Sequence, residues 1–262
     1  MEKLSESKIL TAAQASLQPL QIKIFEEMGS TNQEAFQLAK IGAPEETVIF
    51  AEKQTAGRGR LDRKWESPAY KNLYFSIILR PSISPELAPQ LTLVAGLALY
   101  EALSSLGLKG LRLKWPNDVW IGSKKVAGIL TEMEAEAGKV HFVVIGIGLN
   151  VNSTLEDFSK EVASLATSLL IETGKEHSRS EIAGKILTSF FNGYRSYLKN
   201  GFSVVKPKWE KAAYMKGERV RVSETDRSFV GICEGLDEMG ALLVKSDSQV
   251  ERVITGDVGL CS

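Results

Sequence analysis

At 262 residues the chain is long enough for one large domain plus a small one. Hydrophobic residues make up 44% and charged residues 24%, the balance of a globular protein, which sets aside disordered, collagen-like and membrane-embedded classes. Lysine plus arginine equal aspartate plus glutamate at 32 each, so no global basic field draws the chain onto nucleic acid or anionic lipid, and any polyanion site must be local.

Met1 to Leu20 interrupts its apolar residues with Glu2, Lys3, Glu6 and Lys8 and lacks the apolar core of a signal peptide. No stretch supplies the roughly 18 uncharged apolar residues of a membrane span, so the expected location is the cytoplasm, with no membrane partner. Gln21 to Glu27 alternates as a half-buried strand. Gly29-Ser30-Thr31-Asn32 supplies a turn and cap for a helix through Ile41. Thr47 to Glu52 reads as a buried strand, Lys53 to Tyr70 as a long loop, Leu73 to Leu79 as a strand and Pro89 to Leu106 as a helix. Leu111 to Trp115 predicts a strand. Val119 to Ile121, a Gly122-Ser123 turn and Val126 to Met133 predict a hairpin, and Lys139 to Ile147 is a β-branched strand ending in GIGLNVN. Helical spacing covers Ser159 to Glu172, Ser180 to Tyr197 and Val204 to Tyr214. After Lys216 the texture changes to short strands, Glu218 to Val222, Arg227 to Leu236, Ala241 to Lys245 and Val250 to Ile254. The expected fold is therefore α/β, a mixed-sheet domain with flanking helices over residues 1–214 and a small β-barrel over 215–262.

Cys233, Cys261, His141 and His177 are the only cysteines and histidines, too few and scattered for a disulfide framework, a zinc site or a catalytic triad. The chemistry must rest on other residue types. In Gly57 to Trp65 (GRGRLDRKW), Gly57 and Gly59 alternate with Arg58 and Arg60. Glycines allow an anion nest of backbone N–H groups, and arginine forks grip phosphate or carboxylate oxygens. A solvated basic loop, or an RNA-binding RG segment, fits the same pattern. Lys114-Trp115-Pro116-Asn117-Asp118 follows a strand that proline ends, presenting Asn117 and Asp118 where ligands commonly bind, though a capped turn fits too. Lys125 opens KVAGIL, whose Gly128 would let a ligand lie against the strand; a strand-edge lysine that guards against aggregation is the plainer reading. Arginines, a lysine and carboxamides without catalytic histidine or cysteine fit phosphoryl or adenylyl transfer better than hydrolysis. GxxxxGK[ST] is absent, and GIGLNVN lacks the helix-opening third glycine of a dinucleotide fingerprint.

Taken in order, GSTN (Gly29 to Asn32), Gln54, GRGRLDRKW, KWPND, KKVAGIL and GIGLNVN resemble the biotin protein ligase family from about Gln21 to Asn152. GLDEMGALL (Gly235 to Leu243) and Gly256-Asp257-Val258 are similar to its C-terminal SH3-like barrel. The resemblance implies that biotin and ATP react to biotinyl-5′-adenylate and pyrophosphate, after which a lysine of a biotin carboxyl carrier domain attacks the mixed anhydride. It implies that Ser30, Thr31, Asn32, Gln54, Gly57, Gly59, Gly128 and Ile129 surround biotin. Arg58, Arg60 and Lys125 would hold charge on both substrates and act in catalysis. Trp65, Lys114, Asn117, Asp118 and Asn150 would line the ATP and adenylate side, with Trp65 stacked on adenine. Magnesium is implied with ATP, with Asp118 as a candidate ligand, and a homodimer is plausible by the same resemblance.

Two departures stand out. The family's loop commonly carries a third glycine where this chain has Asp62, which would either pair with Arg63 or Arg58 or face solvent. Some relatives carry an N-terminal winged-helix domain and act as repressors. The 20 residues before the first strand are too few for one, so no DNA partner is expected. The rival readings are a lipoate ligase, a sensor that binds without transferring, and an RG-type RNA binder. The loop is expected to be mobile when empty and to order over its ligand.

Overall fold

The computed structural model describes residues 2–13, 20–247 and 249–261. Seven strands form one mixed sheet: β1 (Gln21–Met28), β2 (Thr47–Gln54), β3 (Leu73–Leu79), β4 (Leu111–Lys114), β5 (Asp118–Ile121), β6 (Lys124–Glu136) and β7 (Lys139–Leu149), in the order β1-β2-β3-β7-β6-β5-β4. Only β1 and β2 pair in parallel, because helix α2 (Thr31–Lys40) crosses between them; every other ladder is antiparallel. Strand alternation divides the sheet's side chains between two cores. Ile49, Ile78, Phe142 and Val144 meet Ala35 and Ala39 of α2, and Phe36 packs edge-on against Phe142 at 4.9 Å. Phe50, Phe75, Ile77, Val143, Ile145 and Ile147 face the other way, into the larger core with α3 (Ala88–Ser104) and α6 (Arg179–Asn200). Over Pro85–Ser104 the α3 segment reaches a mean hydropathy of 1.2 and is long enough to cross a bilayer. It is mostly buried between the sheet and α6, the position of a core helix.

Three segments outside the C-terminal sheet depart from the sequence expectations. An N-terminal helix, α1 (Glu6–Ala12), was not anticipated; Ser5 caps it, accepting from Lys8 N at 3.4 Å. It is pinned by a buried pair, since Arg179 bonds Glu52 at 2.6 Å and the other Glu52 oxygen accepts from Leu4 N at 2.6 Å. The expected helix over Ser159 to Glu172 is two short pieces, α4 (Lys160–Ala163) and α5 (Leu169–Thr173). The residues between them are drawn onto the sheet, where Lys125 N donates to Leu165 O at 2.8 Å and Thr167 N to Lys125 O at 2.9 Å. The Val204 to Tyr214 helix shortens to α7 (Lys206–Lys211), because the residues after it are tied to the edge of β4, where Leu113 N donates to Ala212 O at 2.8 Å and Tyr214 N to Leu113 O at 2.7 Å.

The small C-terminal sheet has five strands, β8 (Arg219–Ser223), β9 (Ser228–Leu236), β10 (Leu242–Ser246), β11 (Gln249–Val253) and β12 (Asp257–Leu260), all antiparallel, in the order β11-β10-β9-β8-β12. Four were expected. The fifth, DVGL, is too short and glycine-containing to stand out. The sheet is docked by its Asp237–Gly240 turn, where Trp115 Nε1 donates to Gly240 O at 3.0 Å and Gln90 Nε2 to Glu238 O at 3.1 Å.

Candidate active site

The site lies on the face of the sheet that carries α2, just beyond that helix's N-terminus. Along β7 the α2-facing positions run Phe142, Val144, Gly146, Gly148. The bulk lies beneath the helix and glycine begins where the helix ends. Gly148 pairs with Gly128 and Gly146 with Leu130 across the β6 ladder, so backbone alone forms the floor. A Cβ on Gly146 would stand 1.8 Å from Asn32 Oδ1, and one on Gly148 would stand 2.4 Å from the Trp65 ring. Lys125 reaches the same face because the register shifts between Val119 and Trp120, leaving Val126 unpaired and turning Lys125 over to Gly128's side.

Above this floor, a cavity of about 270 Å³ gathers most of the residues singled out from sequence. Ser30, Thr31, Asn32 and Gln54 form one end, where Gln54 Oε1 accepts from Thr31 N at 2.8 Å and its Nε2 donates to Ser67 Oγ at 3.0 Å. Lys125 and Asp118 form an ion pair of 2.7 Å in the middle, with side chains 29% and 17% exposed. Neither is a strand-edge charge in solvent. Arg58, Gly59, Arg60, Trp65, Asn117, Gly128, Ile129 and Asn150 complete the set. Asn117 ties strand to loop, donating to Ile129 O at 2.8 Å and accepting from Arg60 Nη1 at 3.2 Å. Burial pulls the Arg60 guanidinium below its ordinary value, with Asp257 and Asp118 opposing that shift. Asn150 bridges loops, its Nδ2 donating to Thr167 O at 3.0 Å. Trp65 lies in the glycine trough with the Lys125 ammonium 5.3 Å from its ring, and its buried Nε1 has no hydrogen-bond partner among the described residues.

Two of the singled-out residues lie outside this cavity. Gly57 is tucked beneath the loop, where a Cβ would stand 2.4 Å from Trp65 O and 2.8 Å from Ser67 Oγ; its smallness serves the loop's own packing. Lys114 lies over the Trp120 ring at 4.3 Å, and burial lowers its pKa against the pull of Asp118 and Asp257. The open anion nest expected of the loop is also absent. Arg58 and Lys64 bridge as a small hairpin, Gly59 N donates to Arg63 O at 2.7 Å, and neither Gly57 nor Gly59 has positive φ. Leu61 and Asp62 do, at 54° and 56°, with Arg63 N donating to Arg60 O at 3.2 Å across the turn. Asp62 faces solvent, with no ion pair among the described residues.

Sequence reasoning missed several neighbours. Phe158, Val162, Leu165 and Ala166 wall the cavity because their segment pairs with Lys125, a contact no local pattern encodes. Ser76 reaches Asn32 Oδ1 at 2.6 Å from β3, and Glu132 holds Asn32 from β6. The small sheet contributes too, since Arg63 pairs with Asp257 and Arg60 lies 3.5 Å from Thr255 Oγ1. Gly256-Asp257 had been legible as a motif, though without its contact to the loop.

Comparison with known proteins agrees with this geometry. Residues 25–150 match the biotin/lipoate A/B protein ligase family and 217–260 the biotin protein ligase C-terminal domain. The bifunctional ligase/repressor BirA of Bacillus subtilis is 38% identical over 258 residues, 98% of this chain and 79% of its own length. A biotin--[acetyl-CoA-carboxylase] ligase of Paracoccus denitrificans is 35% identical over 232 residues, 87% of this chain and 96% of its own. The solved biotin protein ligase of Aquifex aeolicus in complex with biotin and ATP superposes with a TM-score of 0.78 at 31% identity, covering 92% of this chain and 98% of its own. With two domain matches in sequence order and relatives of 38% and 35% identity matched over 79% and 96% of their own lengths, the chain belongs to the biotin protein ligase family.

Proposed function

We propose that this protein activates biotin with ATP and transfers the biotinyl group to a lysine of a biotin carboxyl carrier domain. The observation that carries the reading is the single cavity in which neutral hydrogen-bonding groups, Ser30, Thr31 and Gln54, adjoin a cationic set, Lys125, Arg58 and Arg60, over a floor of glycine backbone. The neutral end suits a ureido ring, which needs paired donors and acceptors in a site poor in charge. In the first step a biotin carboxylate oxygen attacks the α-phosphorus and pyrophosphate leaves. Lys125 and the arginines stabilise charge that grows on the α-phosphoryl oxygens. In the second, an acceptor amine attacks the acyl carbon and AMP departs. Lys125, paired with Asp118, is oriented before any ligand arrives, which removes a reorganisation cost from the step. Trp65 offers a ring face to the adenine, and the loop hairpin closes over the anhydride and excludes water. That the Aquifex aeolicus relative is solved with biotin and ATP supports the assignment of both substrates.

Magnesium fits as an ion carried by the ATP phosphates. No group of three or more histidine, cysteine, aspartate or glutamate side chains suited to hold a metal occurs among the described residues, and magnesium characteristically takes one or two carboxylates plus substrate phosphates. Asp118 would be its protein ligand and the ion would neutralise phosphate charge. Incubation with labelled biotin, ATP and a carrier domain tests the proposal: label on the acceptor lysine supports it. Biotin binding without pyrophosphate release indicates a sensor, and transfer of lipoate in preference to biotin indicates the rival ligase.

A further inference from the structure

Glu132 takes no part in the reaction described above, yet it stands where the two halves of the site meet. Its Oε2 accepts from Asn32 Nδ2 at 2.9 Å and its Oε1 lies 3.2 Å from Arg58 Nη1. Asn32 cannot yield, because Nδ2 also donates to Leu130 O at 3.0 Å, Oδ1 accepts from Ser76 Oγ at 2.6 Å, and the amide fills the space that Gly146 leaves empty. Every hydrogen-bonding group of that side chain is engaged, so Glu132 is held by a fixed partner. Arg58 is held by nothing so rigid: its side chain is 49% exposed on the hairpin, and among the described residues Glu132 is the only carboxylate with which it forms an ion pair. One guanidinium nitrogen faces Glu132, leaving donors on the other edge for the cavity.

We propose that Glu132 is a positioning residue that ties the Arg58 hairpin to the Ser30–Asn32 pocket, setting the loop's resting position and the aim of Arg58. The inference rests on the proposed reading of the cavity, but the contact itself does not depend on which ligand is bound.

Glu132→Gln tests it, because Asn32 and Arg58 are donors on different carboxylate oxygens, and the amide, while keeping the shape, turns an NH2 toward one of them. In the ligand-free protein, tryptic cleavage after Arg60, Arg63 and Lys64 should quicken about two- to fivefold, the range of a part-exposed ion pair. The KM for biotin should rise by about fivefold with kcat nearly unchanged, and the intermediate should escape faster, a split that general loosening of the fold does not produce. Arg58→Gln breaks the same link from the exposed side and should accelerate cleavage equally; in that background Glu132→Gln should add nothing. Unchanged cleavage in both variants, or effects that simply add, overturns the proposal. A protein that ligates no biotin but shows the cleavage changes and their non-additivity would retain the coupling and lose only the proposed function.

Discussion

Lys125 and Asp62 show how differently single residues in one site are constrained. Lys125 is paired with a largely buried Asp118, so Lys125→Ala should cost about 1–3 kcal/mol of stability by leaving that carboxylate unpaired, while pyrophosphate exchange falls by about a hundredfold or more if it stabilises the transition state. Near-normal exchange would remove it from the chemistry. Asp62 makes no ion pair among the described residues and sits at φ 56°, the left-handed region that favours glycine. Asp62→Gly should relieve about 1 kcal/mol of local strain and make the turn more pliable. Release of the adenylate should change more than the chemical step does. Equal release and equal turnover would make Asp62 a bystander.

Among the elements, the α1–α6 contact is set by one small residue. Gly184 lies in mid-helix, where glycine is unfavourable in isolation, and a Cβ there would stand 2.6 Å from both Ala12 Cβ and Ile9 O. Gly184→Ala should therefore cost about 1–3 kcal/mol despite its better helix propensity, by lifting α1 off α6. Urea unfolding with a raised midpoint would show that helix propensity outweighs packing there. The same tension between local and tertiary preference explains the Ser159 to Glu172 segment. Its helical spacing is real at both ends, but a bridge to Lys125 engages Leu165 O and Thr167 N and places Leu165 and Ala166 against the cavity.

For the whole molecule, the fastening of the small sheet carries a pH dependence. Burial alone would raise the Asp237 and Glu210 carboxyls. Asp237 is nonetheless held below the usual range by Arg252 and the N–H groups of Ala241 and Met239, and Glu210 by Leu236 N and Lys216. Depressed folded values mean that the unfolded chain binds protons first on acidification. The contribution is thus complete above the ordinary carboxylate pKa of about 4 and is lost as pH falls through the folded values. Melting temperature should hold from neutrality to about pH 5 and drop below about pH 4, with the fluorescence of Trp115, bonded to the Asp237–Gly240 turn, among the early changes. A flat melting temperature down to pH 3 would contradict this role. Asp237→Asn should make the acid decline shallower.

By itself the sequence determined every strand but β12, the change of texture after Lys216, the family and most of the cavity lining. Strand alternation and turn residues are local, and the motifs fall on strand ends and the loop that the backbone gathers at one place. What lies across the sheet belonged to tertiary structure alone. The fold decided that Gly57 packs inside its own loop and that Lys114 rests on Trp120. It also brought Glu132, Ser76 and residues 158–166 to the site and Asp257 to the Arg63 hairpin. Those contacts join residues up to 194 positions apart, and no periodicity or propensity of either segment encodes the partner. The loop from Gly57 to Trp65 shows both limits. Its residue types announced an anion, but its hairpin form followed from positive φ at Leu61 and Asp62 and from anchors on Asn117, Glu132 and Asp257 that only the folded chain supplies.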